Sequence, residues 1–405
     1  MNILIIHNSY RQAGGEDVVV AQESELLRQH GHTVHTYVRS NHEFQTLSFP
    51  ERLGLFARII SANDSRRAVR GLLRDLRPDV VHVHNTFFMV SPSVYAACLE
   101  EDVPVVQTLH NYRLLCPGAT FYRDGRVCEE CLMHSLLRSV RHACYRKSRV
   151  MTGATALMLQ THRMLDTWER GIGAYIALSL FQKNRFVQSG FPESKIHVKP
   201  NFVEPDPGGE PHSGDYALFV GRLSPEKGVA TLLRAWELLP VQIPLVISGD
   251  GPLRSFLEAE IAAKGLQAIR LAGHVGRDGV YALMKKAAFL VVPSVWEEPF
   301  GLIIVEAFAC GTPVLGASTG AIEEMVEDGV TGLRFKAGGP VDLAEKVEWA
   351  WSHPCQLAAI GKRCRRAYEE RYTAEINHVL LTKIYASAIE AHSRVKRKRS
   401  SRAAA

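Results

Sequence analysis

A chain of 405 residues is too long for one ordinary hydrophobic core, so two domains are expected. Its 46% hydrophobic and 22% charged content is that of globular protein, and no apolar run reaches the roughly 18–20 residues that cross a bilayer, so neither a disordered chain nor a membrane-spanning helix is expected. The net charge of +6 is mild and partly local, in Arg138 to Arg149 and in Arg394 to Arg402, and no nucleic-acid partner is expected.

The chain opens on an apolar strand, Ile3 to Ile6, with no basic segment and cleavage site ahead of it. A cytoplasmic enzyme is therefore expected, with peripheral contact at the inner, anionic membrane face as a further expectation. An amphipathic helix follows from Asp17 to His30, stopped by Gly31. Strands Thr33 to Val38, Val80 to His84 and Val103 to Leu109 alternate with helical stretches, the pattern of a parallel sheet covered on both faces. Pro205, Pro207, Gly208, Gly209, Pro211 and Gly214 mark a boundary. The alternation then restarts: strand Tyr216 to Val220, helix Val229 to Leu238, strand Pro244 to Ser248, helix Leu253 to Lys264, strand Ile269 to Ala272, strand Phe289 to Val292.

The expected fold class is α/β: two facing doubly wound, Rossmann-like domains with a ligand cleft between their strand ends. The first covers 1–204 with a Cys-rich insertion over about 112–150, and the second covers 215–371. A helix over 372–393 crosses back to the first domain, and 394–405 is a basic, disordered tail.

Two carboxylates carry most of the chemistry. Glu298 and Glu306 stand eight positions apart, one in the loop after strand Phe289–Val292 and one inside the helix that Pro299 introduces. The amides of Phe300, Gly301 and Leu302 lie between them at the positive end of that helix. This is a diphosphate cradle with a hydroxyl-binding acid on either side, the shape of a nucleotide sugar. Arg222 and Lys227, in the loop after Val220, are placed to neutralise a leaving diphosphate. Gly249 and Asp250 end the next strand, and His274 with Val275 ends another; each reads equally as donor contact or plain turn. In the first domain Gly14 and Gly15 permit close approach of backbone amides to a phosphate, and His110 follows a strand end. His82 and His84 share a strand face and read as hydrogen-bonded histidines before a metal pair. No Gly-x-Gly-x-x-Gly follows the first strand and no P-loop occurs.

With Gly14-Gly15, the Gly221-to-Gly228 loop, the glutamate pair and Gly311-Thr312-Pro313-Val314 in this order, the chain resembles the family 4 glycosyltransferases, from about Met1 to Tyr372. The resemblance implies the GT-B fold and a retaining, nucleotide-sugar-dependent hexosyl transfer without a divalent metal. It implies that Glu298 binds donor-sugar hydroxyls, Glu306 the ribose, Arg222 and Lys227 the diphosphate, and that His110 lies near the donor sugar. The implied mechanism is front-face substitution, a leaving phosphate oxygen accepting the proton. The acceptor is expected to be a glycan or a lipid-linked glycan in polysaccharide or lipopolysaccharide assembly. A GT-B phosphorylase, a sugar-nucleotide epimerase and a noncatalytic nucleotide-sugar scaffold are the alternatives.

Cys116, Cys128, Cys131 and Cys144 follow the pattern Cys-x11-Cys-x2-Cys-x12-Cys, with an Asp124-Gly125 turn between the first two. The tight Cys128–Cys131 spacing in polar, basic surroundings favours a structural Zn2+; an iron–sulfur cluster and unligated thiols stay open.

Overall fold

The computed structural model describes residues 1–10, 14–43, 55–209 and 214–403. Pro211 of the expected boundary and the last two residues of the expected tail lie outside the described residues. The chain divides into two units. The first comprises residues 1–119, 129–199 and 377–405; the second comprises 120–128 and 200–376.

The strands, in chain order, are β1 Asn2–Ser9, β2 Thr33–Ser40, β3 Val80–Val83, β4 Val105–Leu109, β5 Tyr122–Arg123, β6 Arg126–Val127, β7 Ala174–Ala177 and β8 Ile196–Val198. In the second unit they continue as β9 Tyr216–Val220, β10 Leu245–Ser248, β11 Ile269–Gly273, β12 Ala287–Val292, β13 Val314–Ala317 and β14 Gly332–Phe335.

The first unit holds a six-stranded parallel sheet, β2-β1-β3-β4-β7-β8. Its inner strands are mainly apolar and buried, because helices cover both faces, and the polar residues among them, such as His82, Gln107 and Thr108, are buried too. On one face Ile3, Ile5, Val20 and Leu27 pack with Leu381, Ile384, Tyr385 and Ala388 of the last helix, Ala374–Ala403. The expected return of that helix to the first domain is thus observed. The disordered tail is not: helix continues through Ala403. Its Lys- and Arg-rich sequence has no Gly or Pro to break it.

The second unit holds another six-stranded parallel sheet, β11-β10-β9-β12-β13-β14. Its core gathers Phe219, Leu232, Trp236, Phe289, Val291, Leu315 and Val347. The strand order reverses direction between β9 and β12, so the loops leaving these two neighbours run to opposite faces and open a crevice at their carboxyl ends. The expected second-domain start at 215 is late: the unit already begins at Pro200, where the stretch before β9 packs on it through the Tyr368 hydroxyl bond to the Val203 carbonyl. The β5–β6 hairpin, turning at Asp124 and Gly125 with positive φ at both, groups with this unit although the flanking chain belongs to the first.

Candidate active site

At the crevice of the second unit two loops are locked backbone to backbone. After β9 the chain runs through Ser224 to Gly228; after β12 it runs from Pro293 to Gly301. Gly228 has φ +70°, and a Cβ on it would fall 1.8 Å from the Pro293 carbonyl oxygen, so no other residue fits there. The Val295 amide donates to the Glu226 carbonyl at 2.9 Å. This contact brings Lys227 to Glu298: their Nζ and Oε1 lie 2.8 Å apart, and the Ser294 hydroxyl donates to the same carboxylate oxygen. The Lys227 ammonium also sits 5.8 Å from the centre of the Trp296 ring. Glu298 is only 4% exposed, so its charge is held by these donors and not by solvent. Its backbone is fixed as well: its carbonyl accepts from the Ala321 amide at 2.9 Å, and its amide packs against Gly320, φ +57°. Two residues expected to act together are therefore in direct contact.

Arg222, in the same loop as Lys227, is exposed and makes no ion pair among the described residues. It is free to meet an anion. Gly249, φ +144°, lets the loop after β10 touch the loop after β9, since a Cβ there would lie 1.9 Å from the Gly221 carbonyl oxygen. Asp250 is occupied with its own turn: its carbonyl accepts from Leu223 at 2.9 Å and its carboxylate from the Gly251 amide at 2.7 Å. His274 is exposed and Val275 half-buried just beyond β11.

The helix carrying Glu306 begins later than the sequence suggests. It spans Leu302–Ala309 with Gly301 as its cap, so Pro299 and Phe300 precede it. Burial explains the delay. The Phe300 ring packs 6.4 Å from that of Tyr372, and the Ile304 side chain occupies the place of a Gly301 Cβ, at 2.7 Å. The Ile304 amide already bonds to the Gly301 carbonyl at 2.9 Å, so the unpaired amides of the first turn are those of Leu302 and Ile303. The Phe300 and Gly301 amides belong to the loop. Glu306 lies one turn on, and burial pushes its carboxyl up to about 7, with Arg277 pulling the other way. Arg277 was not among the residues picked from sequence. It opens the helix Arg277–Lys286 after β11 and donates from Nε to the Tyr281 hydroxyl at 2.7 Å. An arginine in the first turn of a helix, where acids are favoured, is the signal that marked it.

In the first unit, Gly14 caps the helix Gly15–Gln29, its amide donating to Asp17 at 2.9 Å. Asp17 in turn bonds His7 Nε2 at 2.9 Å. Glu16 lies beside it, its carboxyl pushed up to about 8 mainly by burial. His110, just beyond β4, places Nε2 2.9 Å from His84 Nδ1, the two rings stacked. Burial first, then the neighbouring charges of His7 and Lys199, holds His110 well below the ordinary histidine range, so it is neutral at pH 7. His82 and His84 share a strand face as expected. Both ring nitrogens of His82 are occupied, by the Tyr385 hydroxyl at 2.7 Å and Thr108 at 2.8 Å. Glu23 joins them, with ligand atoms of Glu23, His82 and His84 all within 4.8 Å. The Lys199 ammonium already pairs with Glu23, so a cation is present in covalent form.

Cys116 and Cys144 both flank Gly118, where an added Cβ would lie 3.6 Å from the Cys116 sulfur and 3.6 Å from the Cys144 Cβ. Cys131 sits on the short helix Glu130–Met133 and lines a cavity of about 710 Å3 with Leu115, Trp168 and Phe191. Among the described residues of the first unit, Cys116, Cys131 and Cys144 do not form a group with all ligand atoms within 4.8 Å. Cys128 ends the hairpin, its amide bonded to the Phe121 carbonyl at 2.7 Å.

Known proteins give this geometry a context. The family model described as glycosyl transferases group 1 matches residues 203–369, and glycosyltransferase family 4 matches 13–207. An uncharacterized glycosyltransferase of Methanocaldococcus jannaschii, MJ1607, is 32% identical over 284 residues, 69% of this chain and 67% of its own length. D-rhamnosyltransferase WbpZ of Pseudomonas aeruginosa is 32% identical over 161 residues, 39% of this chain. The matched stretch spans 38% and 42% of the lengths of two such relatives, MJ1178 of M. jannaschii and WbpZ. Among solved structures, sucrose-phosphate synthase from Thermosynechococcus elongatus superposes with a TM-score of 0.70 at 17% identity, covering 96% of this chain and 99% of that one. HepE of Anabaena, in complex with UDP-glucose, gives 0.66 at 19% identity, covering 95% and 100%. Those likenesses establish the shared GT-B fold of two parallel-sheet α/β domains. With two family models abutting along 13–369 and a relative matched over two thirds of both lengths, the chain belongs to the group 1, family 4 glycosyltransferases.

Proposed function

We propose that the protein is a retaining glycosyltransferase that moves a hexose from a nucleoside diphosphate sugar to a glycan or lipid-linked acceptor. The observation that carries this reading is the contact of Lys227, Glu298 and Ser294 at the β9/β12 crevice. A buried carboxylate held by two donors keeps acceptor capacity for sugar hydroxyls, since an ionised carboxylate has about four lone-pair sites. Lys227 and the exposed Arg222 offer positive charge to a diphosphate as it departs, and the first-turn amides of Leu302 and Ile303 add to it. Glu306, partly neutral near pH 7, is suited to exchange hydrogen bonds with ribose hydroxyls. HepE, a fold relative, has been solved with UDP and UDP-glucose, which supports a uridine nucleotide as the first donor to test.

The test is nucleotide release across a panel of sugar nucleotides, followed by variants on the best donor. Lys227→Ala and Arg222→Ala should each lower kcat more than they raise KM, and Glu298→Ala should abolish transfer. Near-normal kcat with only weaker donor binding in both cation variants overturns the leaving-group role. The cysteine pattern is proposed to hold a structural Zn2+, supported by its Cys-x2-Cys spacing and by Cys116 and Cys144 both flanking Gly118. Metal analysis of the purified protein should find about one equivalent of zinc; less than about a third overturns the site.

A further inference from the structure

From Cys131 to Leu165 the chain contains no Asp or Glu and six cations: Arg138, Arg141, Arg146, Lys147, Arg149 and Arg163. That local charge equals the net charge of the whole protein, +6. Most of the segment is helical, in Leu137–Arg141 and Arg149–Met164, which pack on each other. The exposed residues of the longer helix are Arg149, Val150, Leu157, Gln160 and Met164, and three of these five are apolar. Val150, Leu157 and Met164 recur every seven residues, so they form one line along the helix, about 21 Å long at 1.5 Å per residue. They are 64%, 55% and 75% exposed. Leu137, Met133 and Leu165 are also more than half exposed. A helix on a water-facing surface carries charge on this face; here the charge flanks an apolar stripe. Arg138, Arg141, Lys147 and Arg149 are exposed and make no ion pair among the described residues.

We propose that this face of the first unit docks on an anionic lipid bilayer, the apolar line entering the headgroup–acyl boundary and the arginines meeting lipid phosphates. Charge complementarity selects the occupant. A second copy of the chain would set the same cations against one another across a two-fold interface. Single-stranded nucleic acid calls for stacking rings, and the segment's only Phe, Tyr or Trp, Tyr145, is already engaged by Phe87 at 5.4 Å and by Arg113 at 4.8 Å. A bilayer with anionic headgroups satisfies both the stripe and its flanking charge. The inference is independent of the transfer reading, because no residue of the β9/β12 crevice takes part.

The test is co-sedimentation of the full chain with vesicles of phosphatidylcholine alone and of phosphatidylcholine mixed with phosphatidylglycerol, at low and high salt. The wild-type chain should pellet with the anionic vesicles and be released by salt. Leu157→Glu/Met164→Glu and, separately, Arg138→Glu/Arg141→Glu should each weaken binding by about tenfold or more. All four side chains are exposed; if the first variant fails to fold, the arginine pair carries the test. Equal pelleting with neutral vesicles, no pelleting at all, or wild-type binding by both variants overturns the proposal. So does a concentration-dependent dimer that Leu157→Glu dissolves, which would assign the face to a second copy.

Discussion

Glu306 shows how one side chain's surroundings set both stability and binding. Its carboxyl is held up near 7 by burial, against an ordinary 4.5. Between those values the folded chain keeps a proton that the unfolded chain has lost, so stability falls as pH rises across that window, by at most on the order of 3 kcal/mol. Glu306→Gln should remove this slope, with urea unfolding at pH 5 and pH 8 giving more similar free energies than in the wild type. It should also weaken nucleotide binding, because an amide accepts fewer hydrogen bonds than a carboxylate. Residues of this kind are partly legible in sequence. The eight-residue spacing identified both acids, but nothing in it shows that Lys227 holds Glu298 while Arg277 faces Glu306. Pairings between distant loops depend on the strand order, which composition and periodicity do not carry. The same applies to Glu23 and Lys199, buried together from distant parts of the first unit's sequence.

Elements were read more reliably than the joints between them. Buried parallel strands announce themselves as apolar runs, and β9 matches its expected span residue for residue. The start of the Leu302–Ala309 helix was misplaced because Pro at a first turn is a common signal, whereas here packing of Phe300 and Ile304 decided. The glycines at these joints give an element-scale prediction. Gly320 has φ +57°, and a Cβ there would lie 2.6 Å from the Glu298 amide nitrogen. Gly320→Ala should therefore displace the Glu298 loop. Donor turnover should fall by about tenfold or more, with a stability loss of about 1–3 kcal/mol by thermal melting. Wild-type turnover in this variant would show that the loop tolerates the shift and that its position is not critical.

At the scale of the whole molecule, both units were foreseen as doubly wound sheets, and the last helix was foreseen as returning to the first. The Asp124-Gly125 hairpin was foreseen as well, but its grouping with the second unit was not, because a short excursion to another unit leaves no trace in composition. The returning helix matters most. Leu381, Ile384, Tyr385 and Ala388 complete the core that begins with Ile3 and Ile5, so residues far apart in the chain share one core. On the ribosome, residues 200–376 can therefore collapse into their own sheet while β1 still waits for its lid. A released chain truncated after Ile376 should yield a protease-resistant fragment from the later half and rapid cleavage in the earlier half. The second unit's sheet thus does not wait for residues beyond 376, and a lesion at Tyr385 should behave like one at Ile5.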